Sequence, residues 1–455
     1  ADPARGTMEQ EPAVYLKAAS EICREIAQGH SIDAISVTAF RSAPALVDRS
    51  GNALCNFIMW QDTRNAKICR SLKRYDAQVY QTCGAAINTV FAATKLTWMK
   101  ENMPEIYRTA YKAMIVPDFI LHFMTGLFRT DHTYGSRTLL MDIKSRAWSP
   151  EMIRLFDVDA DKLCELCSPG SIYGTVRREF AALTGIAEGV PVVTAGGDQQ
   201  CGALGMGVTD EQTIGVNCGT GAFIVSATDE PMLENPAVIC NAAAIPGKYI
   251  EEMNVLACAS ALDWLLREFF PEFERDGPDY AAVNRIAENT PPGSNGLLAI
   301  PHFQGCGSRS WNPGASAGFW GFSLGSRRED MIRALYEGIA AEIAKSIEML
   351  PPPCSKAEEI AISGGMSNSD VFLQILSDMT GKNLLHGYGA QATARGAFIS
   401  AAVALGMYES YDEAERRCSG GKQKEIHPQS DVAAFYRSYY RQRTERLYMA
   451  ACGHE

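Results

Sequence analysis

Three apolar runs in this chain each stop on a glycine turn, and that pattern restricts the fold more than any other feature. Residues 190–195 run into Gly196-Gly197-Asp198-Gln199-Gln200. Residues 213–216 reach Gly219-Thr220-Gly221, and an apolar run resumes over 223–226. Residues 359–363 stop at Gly364-Gly365. Short apolar runs bounded by glycine read as buried strands, so the first predicts a strand ending on an acid and the second a hairpin with a glycine tip. The third predicts a strand whose glycine turn introduces a helix over 369–379.

The remaining periodicity fills in an α/β chain. Residues 11–27 predict an amphipathic helix whose apolar face is Val14, Leu16, Ile22 and Ile26. Strands are expected over 32–39, 45–48, 170–176 and 296–300, and helices over 94–101, 117–124 and 329–348. A second unit is expected to begin just after the glycine-containing stretch 202–207. At 455 residues the chain is long enough for more than one core, and its 46% hydrophobic content fits a globular protein.

Composition excludes several classes of partner. A net charge of -11 without blocks of Lys or Arg argues against a grip on nucleic acid, which needs clustered positive charge. No apolar run approaches the roughly 18–20 residues of a membrane span, and no secretory leader pattern is present, so a cytoplasmic protein without a membrane partner is expected. The 14 cysteines are dispersed, as in reduced proteins. The single CxxC, Cys164 to Cys167, reads as a helix-end pair, and the 7 scattered histidines predict no metal cluster.

The glycine turns have chemical readings beside their structural ones. Asp198, on a Gly-Gly pivot at the end of a strand, suits a general base toward a substrate hydroxyl, and equally a helix cap. Gly219-Thr220-Gly221 is able to offer backbone N–H groups to phosphate oxygens, and equally to close a plain hairpin. Gly364-Gly365-Met366-Ser367 before a helix is able to admit a flat base against backbone, and equally to meet the ordinary steric needs of a helix start. Phosphoryl transfer needs few residues, chiefly an aligned acceptor oxygen and neutralised phosphate charge.

Taken together with other segments, these motifs resemble the FGGY carbohydrate kinases over nearly the whole chain. Lys95-Leu96-Thr97-Trp98-Met99-Lys100-Glu101-Asn102 is similar to the family's first signature. Ala317-Gly318-Phe319-Trp320-Gly321-Phe322, continuing through Asp330 to Gly338, resembles the second, with departures at Phe322 and Leu335. Trp60-Gln61, the stretch from Asp131 to Ser136-Arg137-Thr138, Gly197-Asp198-Gln199-Gln200 and Gly219-Thr220-Gly221-Ala222-Phe223 look most like the glycerol kinase branch.

The resemblance implies two actin-like, ribonuclease-H-like lobes with a cleft between them, a substrate lobe over 1–204 and a nucleotide lobe over 205–455. It implies ATP-dependent phosphorylation of a small sugar or polyol with Asp198 as base. Arg41, Ser42, Trp60, Gln199 and Phe223 then fall at substrate positions. Gly219, Thr220 and Gly221 would meet the phosphates, and Gly325, Gly364, Gly365, Met366 and Ser369 would line the nucleotide pocket. Mg²⁺ accompanies ATP, with Asp198 as its indirect partner.

Departures limit what carries over. Ser42 stands where glycerol kinases carry an acid, and Val90 where they carry a tyrosine, so two polar holds on glycerol are missing and the acceptor stays open. The Met-His pair usual in xylulose-type kinases near Phe40-Arg41 is absent. The family's opening hairpin, with its first phosphate turn, is not matched. The first lobe's sheet is therefore expected to be incomplete at the N-terminus, with an exposed edge that invites association such as a homodimer. The competing expectation is a non-catalytic relative, or an inactive fragment, that keeps a sugar or nucleotide pocket.

Overall fold

The computed structural model describes residues 6–273, 279–387, 391–418 and 424–451. They gather into two compact units, and the chain visits each more than once. The first comprises Ala1–Gly205, Asp229–Ile250 and Thr393–Cys418; the second comprises Met206–Thr228, Glu251–Ala392 and Ser419–Glu455. The chain first crosses to the second unit after Gly205, and 229–250 and 393–418 return to the first. No helix among the described residues is long and apolar enough to cross a membrane.

In the first unit, the strand Pro191–Gly197 lies at the centre of a three-stranded sheet, antiparallel to Ser171–Thr175 and parallel to Ile35–Ala39. Its side chains are buried from Val192 onward, as a run apolar on both faces requires. Ile35–Ala39 is an edge strand of this sheet. The register between the two parallel strands slips between Thr194 and Gly196, where Gly196 takes φ +107°. Such an irregularity re-aims the end of a strand, here just before Asp198.

The helix expected from residue 11 spans Pro12–Ala27, but its buried stripe is not the expected one. Val14, Ile22 and Ile26 are each more than half exposed. Leu16 faces the core as expected, joined by Ala19, Cys23 and Ala27. Small side chains at three of those positions let the helix lie close to its neighbours Val116–Thr125 and Arg178–Thr184. The helix expected over 94–101 spans Ala92–Asn102.

The second unit is built on a sheet in which the strands run in the order Tyr249–Val255, Ala222–Thr228, Thr213–Cys218, Glu359–Ser363, Asn383–His386 and Lys424–Ile426. Thr213–Cys218 pairs antiparallel with Ala222–Thr228 and parallel with Glu359–Ser363, which is parallel in turn to Asn383–His386. The long helix Asp330–Met349 buries Ile332, Leu335, Ile339, Ile343 and Ile347, a spacing of three and four residues that puts them on one face. Residues 294–296 form a short 3₁₀ turn, so the strand expected over 296–300 is confined to Leu298–Ile300. Gly293 and Asn295 hold positive φ there, which a strand does not accommodate.

Candidate active site

Asp198 is the first residue of the helix Asp198–Gly205, directly after the strand Pro191–Gly197. Its backbone is aimed by a buried polar network. Asp131, wholly buried, accepts from the Thr133 hydroxyl at 2.5 Å and from Thr194. Thr133 Oγ1 in turn accepts the Gly197 N–H at 2.9 Å, and the Tyr134 hydroxyl donates to the Gly196 carbonyl at 2.8 Å. Burial pushes the Asp131 carboxyl up, against the pull of its Thr133 and Thr194 hydrogen bonds. The function of this network is to hold the strand end.

The Asp198 carboxylate stands 3.6 Å from Arg41 Nε, and its Oδ1 accepts the Gln199 N–H at 2.8 Å. Its side chain is 35% exposed whereas that of Arg41 is 8% exposed, so the acid is reachable and the base beneath it is not. Arg41 Nη1 donates to Gln200 Oε1 at 3.2 Å. The whole arrangement crowds Gly197: a Cβ there would meet Gln200 Oε1 at 2.5 Å and Arg41 Cδ at 2.8 Å. Glycine at 197 is thus a condition for bringing Arg41 under Asp198.

Ser42 is buried at φ +70°, and its hydroxyl is already engaged with the Arg137 carbonyl at 3.3 Å. Lys95, fully buried, donates to the carbonyls of Ser42 at 3.1 Å and Val90 at 2.7 Å. Burial lowers its pKa to about 7, against the raising effect of Asp62. Lys95 thereby pins the Arg41-Ser42 segment. Arg137 donates to Asn241 Oδ1 at 3.4 Å and lies over the Phe91 ring at 4.8 Å. Gln200 Nε2 and Asn241 Nδ2 are buried amide donors without a hydrogen-bond partner among the described residues.

Gln200 and Asn241 were not anticipated as site residues, and neither was the pinning role of Lys95. The Gln200 position follows from the repeated Gln in Asp198-Gln199-Gln200, but nothing in the linear order ties residue 241 to residue 137. Gln199 is half-buried next to Asp198, and Trp60 is 44% exposed in the turn after Phe57–Ile58.

The phosphate and nucleotide candidates fall in the second unit. Gly219-Thr220-Gly221 closes the expected hairpin between Thr213–Cys218 and Ala222–Thr228. The turn is partly self-satisfied, since the Gly219 N–H donates to the Gly221 carbonyl at 2.9 Å. The Gly219 and Thr220 carbonyls accept from the amides of residues 258–260, where the helix Ala259–Phe269 starts. Thr220 itself is exposed. Gly221 has no room for a side chain, because a Cβ would meet the Val255 carbonyl at 2.6 Å. Phe223, two residues on, is half-buried opposite Asn217 in the hairpin.

Gly364 ends the neighbouring parallel strand at the same end of the sheet. Its φ is +91°, and a Cβ would meet the Cys218 carbonyl oxygen at 2.4 Å. The two glycine turns therefore touch, as the separate motifs could only hint. Gly365 is exposed, with nothing within 4 Å of a Cβ built there. Met366 is buried. The Ser369 hydroxyl caps the helix Asp370–Thr380 through the Phe372 N–H and donates to Asn284 Oδ1 at 2.8 Å, so it serves the fold. Gly325 lies in an exposed turn of its own between Ser323 and Ser326.

Two expectations about cysteine and metal need correction. Cys164 and Cys167 flank and end the short strand Glu165–Cys167 rather than a helix, and both are free thiols. Among the described residues one histidine, His302, does gather with potential metal ligands, Cys306 and Glu342, in the second unit. Four residues separate His302 from Cys306, a spacing visible in sequence, but Glu342 is brought in only by the fold.

Comparison with known proteins adds to this geometry. The N-terminal domain model of the FGGY family of carbohydrate kinases matches residues 1–205, and the C-terminal domain model matches residues 215–405. Glycerol kinase from Gluconobacter oxydans is 29% identical over 415 residues, covering 88% of this chain and 78% of that protein. Glycerol kinase from Mycoplasma capricolum is 27% identical over 402 residues, 85% of this chain and 77% of that one. Among solved structures, ligand-bound xylulose kinase from Lactobacillus acidophilus superposes with a TM-score of 0.91 at 22% identity, covering 98% of this chain and 91% of the other. Plasmodium falciparum glycerol kinase with ADP gives 0.86 at 24% identity, with 97% and 90% covered. The α/β fold, with actin-like and ribonuclease-H-like architecture, is thus shared along nearly the full chain.

Proposed function

Because the chain belongs to the FGGY family of carbohydrate kinases, we propose that it transfers the terminal phosphoryl group of ATP to a hydroxyl of a small sugar or polyol, with Asp198 taking the hydroxyl proton. The observation that carries this reading is the partly exposed Asp198 carboxylate at a strand's carboxyl end, oriented by a nearly buried Arg41 3.6 Å away. The transition state of phosphoryl transfer is loose, so the acceptor oxygen needs alignment more than it needs a strong base. A carboxylate fixed by Arg41, by the Gln199 N–H and by the strand beneath it supplies that alignment.

The acceptor is read as polyhydroxylated from what surrounds Asp198. Arg41 and Gln199, which flank the Asp198 carboxylate, are suited to hydroxyl oxygens, and the exposed Trp60 is assigned the carbon chain by the family resemblance. Relatives named glycerol kinase and a fold neighbour named xylulose kinase act on molecules of this kind. Ser42 turns its hydroxyl to the Arg137 carbonyl and is the weakest of the substrate assignments.

ATP fits the second unit at the meeting of the two glycine turns. Backbone there has no side chains to hold ligand away: Gly365 is open and Thr220 exposed. Magnesium, when bound with the nucleotide, supplies neutralisation of phosphate charge, and Asp198 is the carboxylate that would stand by it.

Asp198→Asn keeps the shape and removes the proton acceptor. Turnover with ATP and the acceptor found by screening polyols and ketoses should fall roughly a hundred- to ten-thousandfold, while ATP affinity measured by calorimetry stays within about twofold. Turnover matching the wild type would refute the assigned base.

A further inference from the structure

Away from the proposed kinase site, the second unit holds a polar cluster that the phosphoryl-transfer reading does not use. His302 and Cys306 sit on residues 301–317, which follow the strand Leu298–Ile300, and Glu342 projects from the long helix Asp330–Met349. All three are buried, at 3%, 3% and 5% exposure. One ligating atom from each lies within 4.8 Å of the others. His302 Nε2 faces Glu342 Oε2 at 3.5 Å, and among the described residues neither ring nitrogen makes a contact of hydrogen-bond geometry. An imidazole buried to this degree without a well-formed hydrogen bond is costly unless something else takes a lone pair.

From this geometry we propose that His302, Cys306 and Glu342 form a structural Zn²⁺ site. A thiolate, an imidazole and a carboxylate are a ligand set that selects a borderline ion such as zinc over Mg²⁺ or Ca²⁺, which prefer oxygen alone. Tetrahedral bonds of roughly 2.0–2.3 Å require the three atoms to draw about an ångström closer. In such a site the Cys306 and His302 side chains would rotate toward Glu342, which Arg309 holds.

The surroundings already resemble an outer shell. Glu342 Oε1 accepts from Arg309 Nη1 at 2.8 Å, which leaves Oε2 turned toward His302. Arg309 is itself held by Glu445 and lies 3.3 Å over the Tyr448 ring. The Tyr448 hydroxyl is 3.3 Å from Cys306 Sγ and its ring is edge-on to that of His302, so it is placed to donate to the thiolate, and a water would complete four-coordination. Hydrogen bonds of this kind to a ligating carboxylate fix its orientation. The ion would join residues 301–317 to the long helix, beside the last described helix, Arg441–Ala451.

The test uses the full chain, stripped with chelator and titrated with Co²⁺ and then Zn²⁺. The wild type should take up one equivalent of Co²⁺ with a thiolate-to-cobalt charge-transfer band that Zn²⁺ abolishes. Cys306→Ser should lose the band and weaken zinc binding roughly a hundredfold or more, judged by competition with a chromophoric chelator. His302→Gln, which tests the site should the serine variant fail to fold, should weaken it at least about tenfold. Cys354→Ser, a buried cysteine elsewhere in the unit, should leave band and affinity unchanged. No band in the folded wild type, or a band that survives Cys306→Ser, would overturn the site.

Discussion

Alanine at Gly364 and alanine at Gly365 should do opposite things, although the residues are adjacent and share a motif. Gly364 holds φ +91° and ψ 173°, a region in which a side chain costs about 1–3 kcal/mol. Its Cβ would also stand 2.4 Å from the Cys218 carbonyl oxygen and 2.5 Å from the carbonyl carbon. Those are backbone atoms of a central strand that cannot swing aside, so forced repacking adds about 1–3 kcal/mol. The sum, about 2–6 kcal/mol, lowers the melting midpoint of a unit of this size by roughly 5–20 °C, at about 2–4 °C per kcal/mol.

Gly365 has no positive φ and nothing within 4 Å of the added methyl, so Gly365→Ala should stay within about 0.5 kcal/mol of the wild type. Its methyl would instead intrude where the nucleotide is proposed to lie, weakening ATP binding about tenfold, or 1.4 kcal/mol. Thermal melts followed by circular dichroism and ATP titrations by calorimetry read the two effects separately. A Gly364→Ala protein that melts within about 2 °C of the wild type would refute the packing argument. A Gly365→Ala protein with unaltered ATP affinity would remove that turn from the nucleotide site.

Two further expectations rest on buried charge. Lys95 has its pKa lowered to about 7 by burial against the opposing charge of Asp62, whereas in the unfolded chain it titrates near 10.4. Between those values the unfolded state binds more protons, so Lys95 makes the wild type more stable as pH rises through that window. Lys95→Met lacks this titration, and its stability deficit in urea melts should grow by roughly 2 kcal/mol from pH 7 to pH 9; a deficit that is flat or shrinks would contradict the burial. Arg333 and Glu337 form a buried pair at 3.0 Å, with Glu337 also accepting from the Gly293 N–H and the Ser294 and Tyr436 hydroxyls. Arg333→Met should cost about 3–5 kcal/mol by stranding Glu337, and adding Glu337→Gln should recover part of it; no recovery in the double-variant melt would argue that packing, not charge, sets the loss.

Strand positions were legible where apolar runs met glycine, because only a buried strand reconciles continuous apolar residues with an abrupt turn. That logic located 191–197, 213–218 and 359–363 to within about two residues. It failed on the face of the first helix, since spacing alone gives several stripes and the fold selected the one with small residues that permit close approach. Asp198 and Arg41 were legible through motif. Their coupling through Gly197 was not, because a missing side chain leaves no signal of what occupies its place. Asn241 and Glu342 were invisible for a simpler reason: each meets its partners across more than 35 residues of intervening chain.

The helix that begins at Asp198 is seated on residues made much later. Cys201 and Leu204 pack with Ala244, Ala397, Ile399 and Ala414, and Gly396 lies so close that a Cβ there would fall 1.9 Å from the Cys201 carbonyl. On the ribosome, then, the carboxylate emerges long before its support, and the first unit cannot be finished until residue 418 has left the exit tunnel. For this chain, synthesis order and folding order diverge, and a nascent protein must wait, half assembled, with Asp198 unbraced.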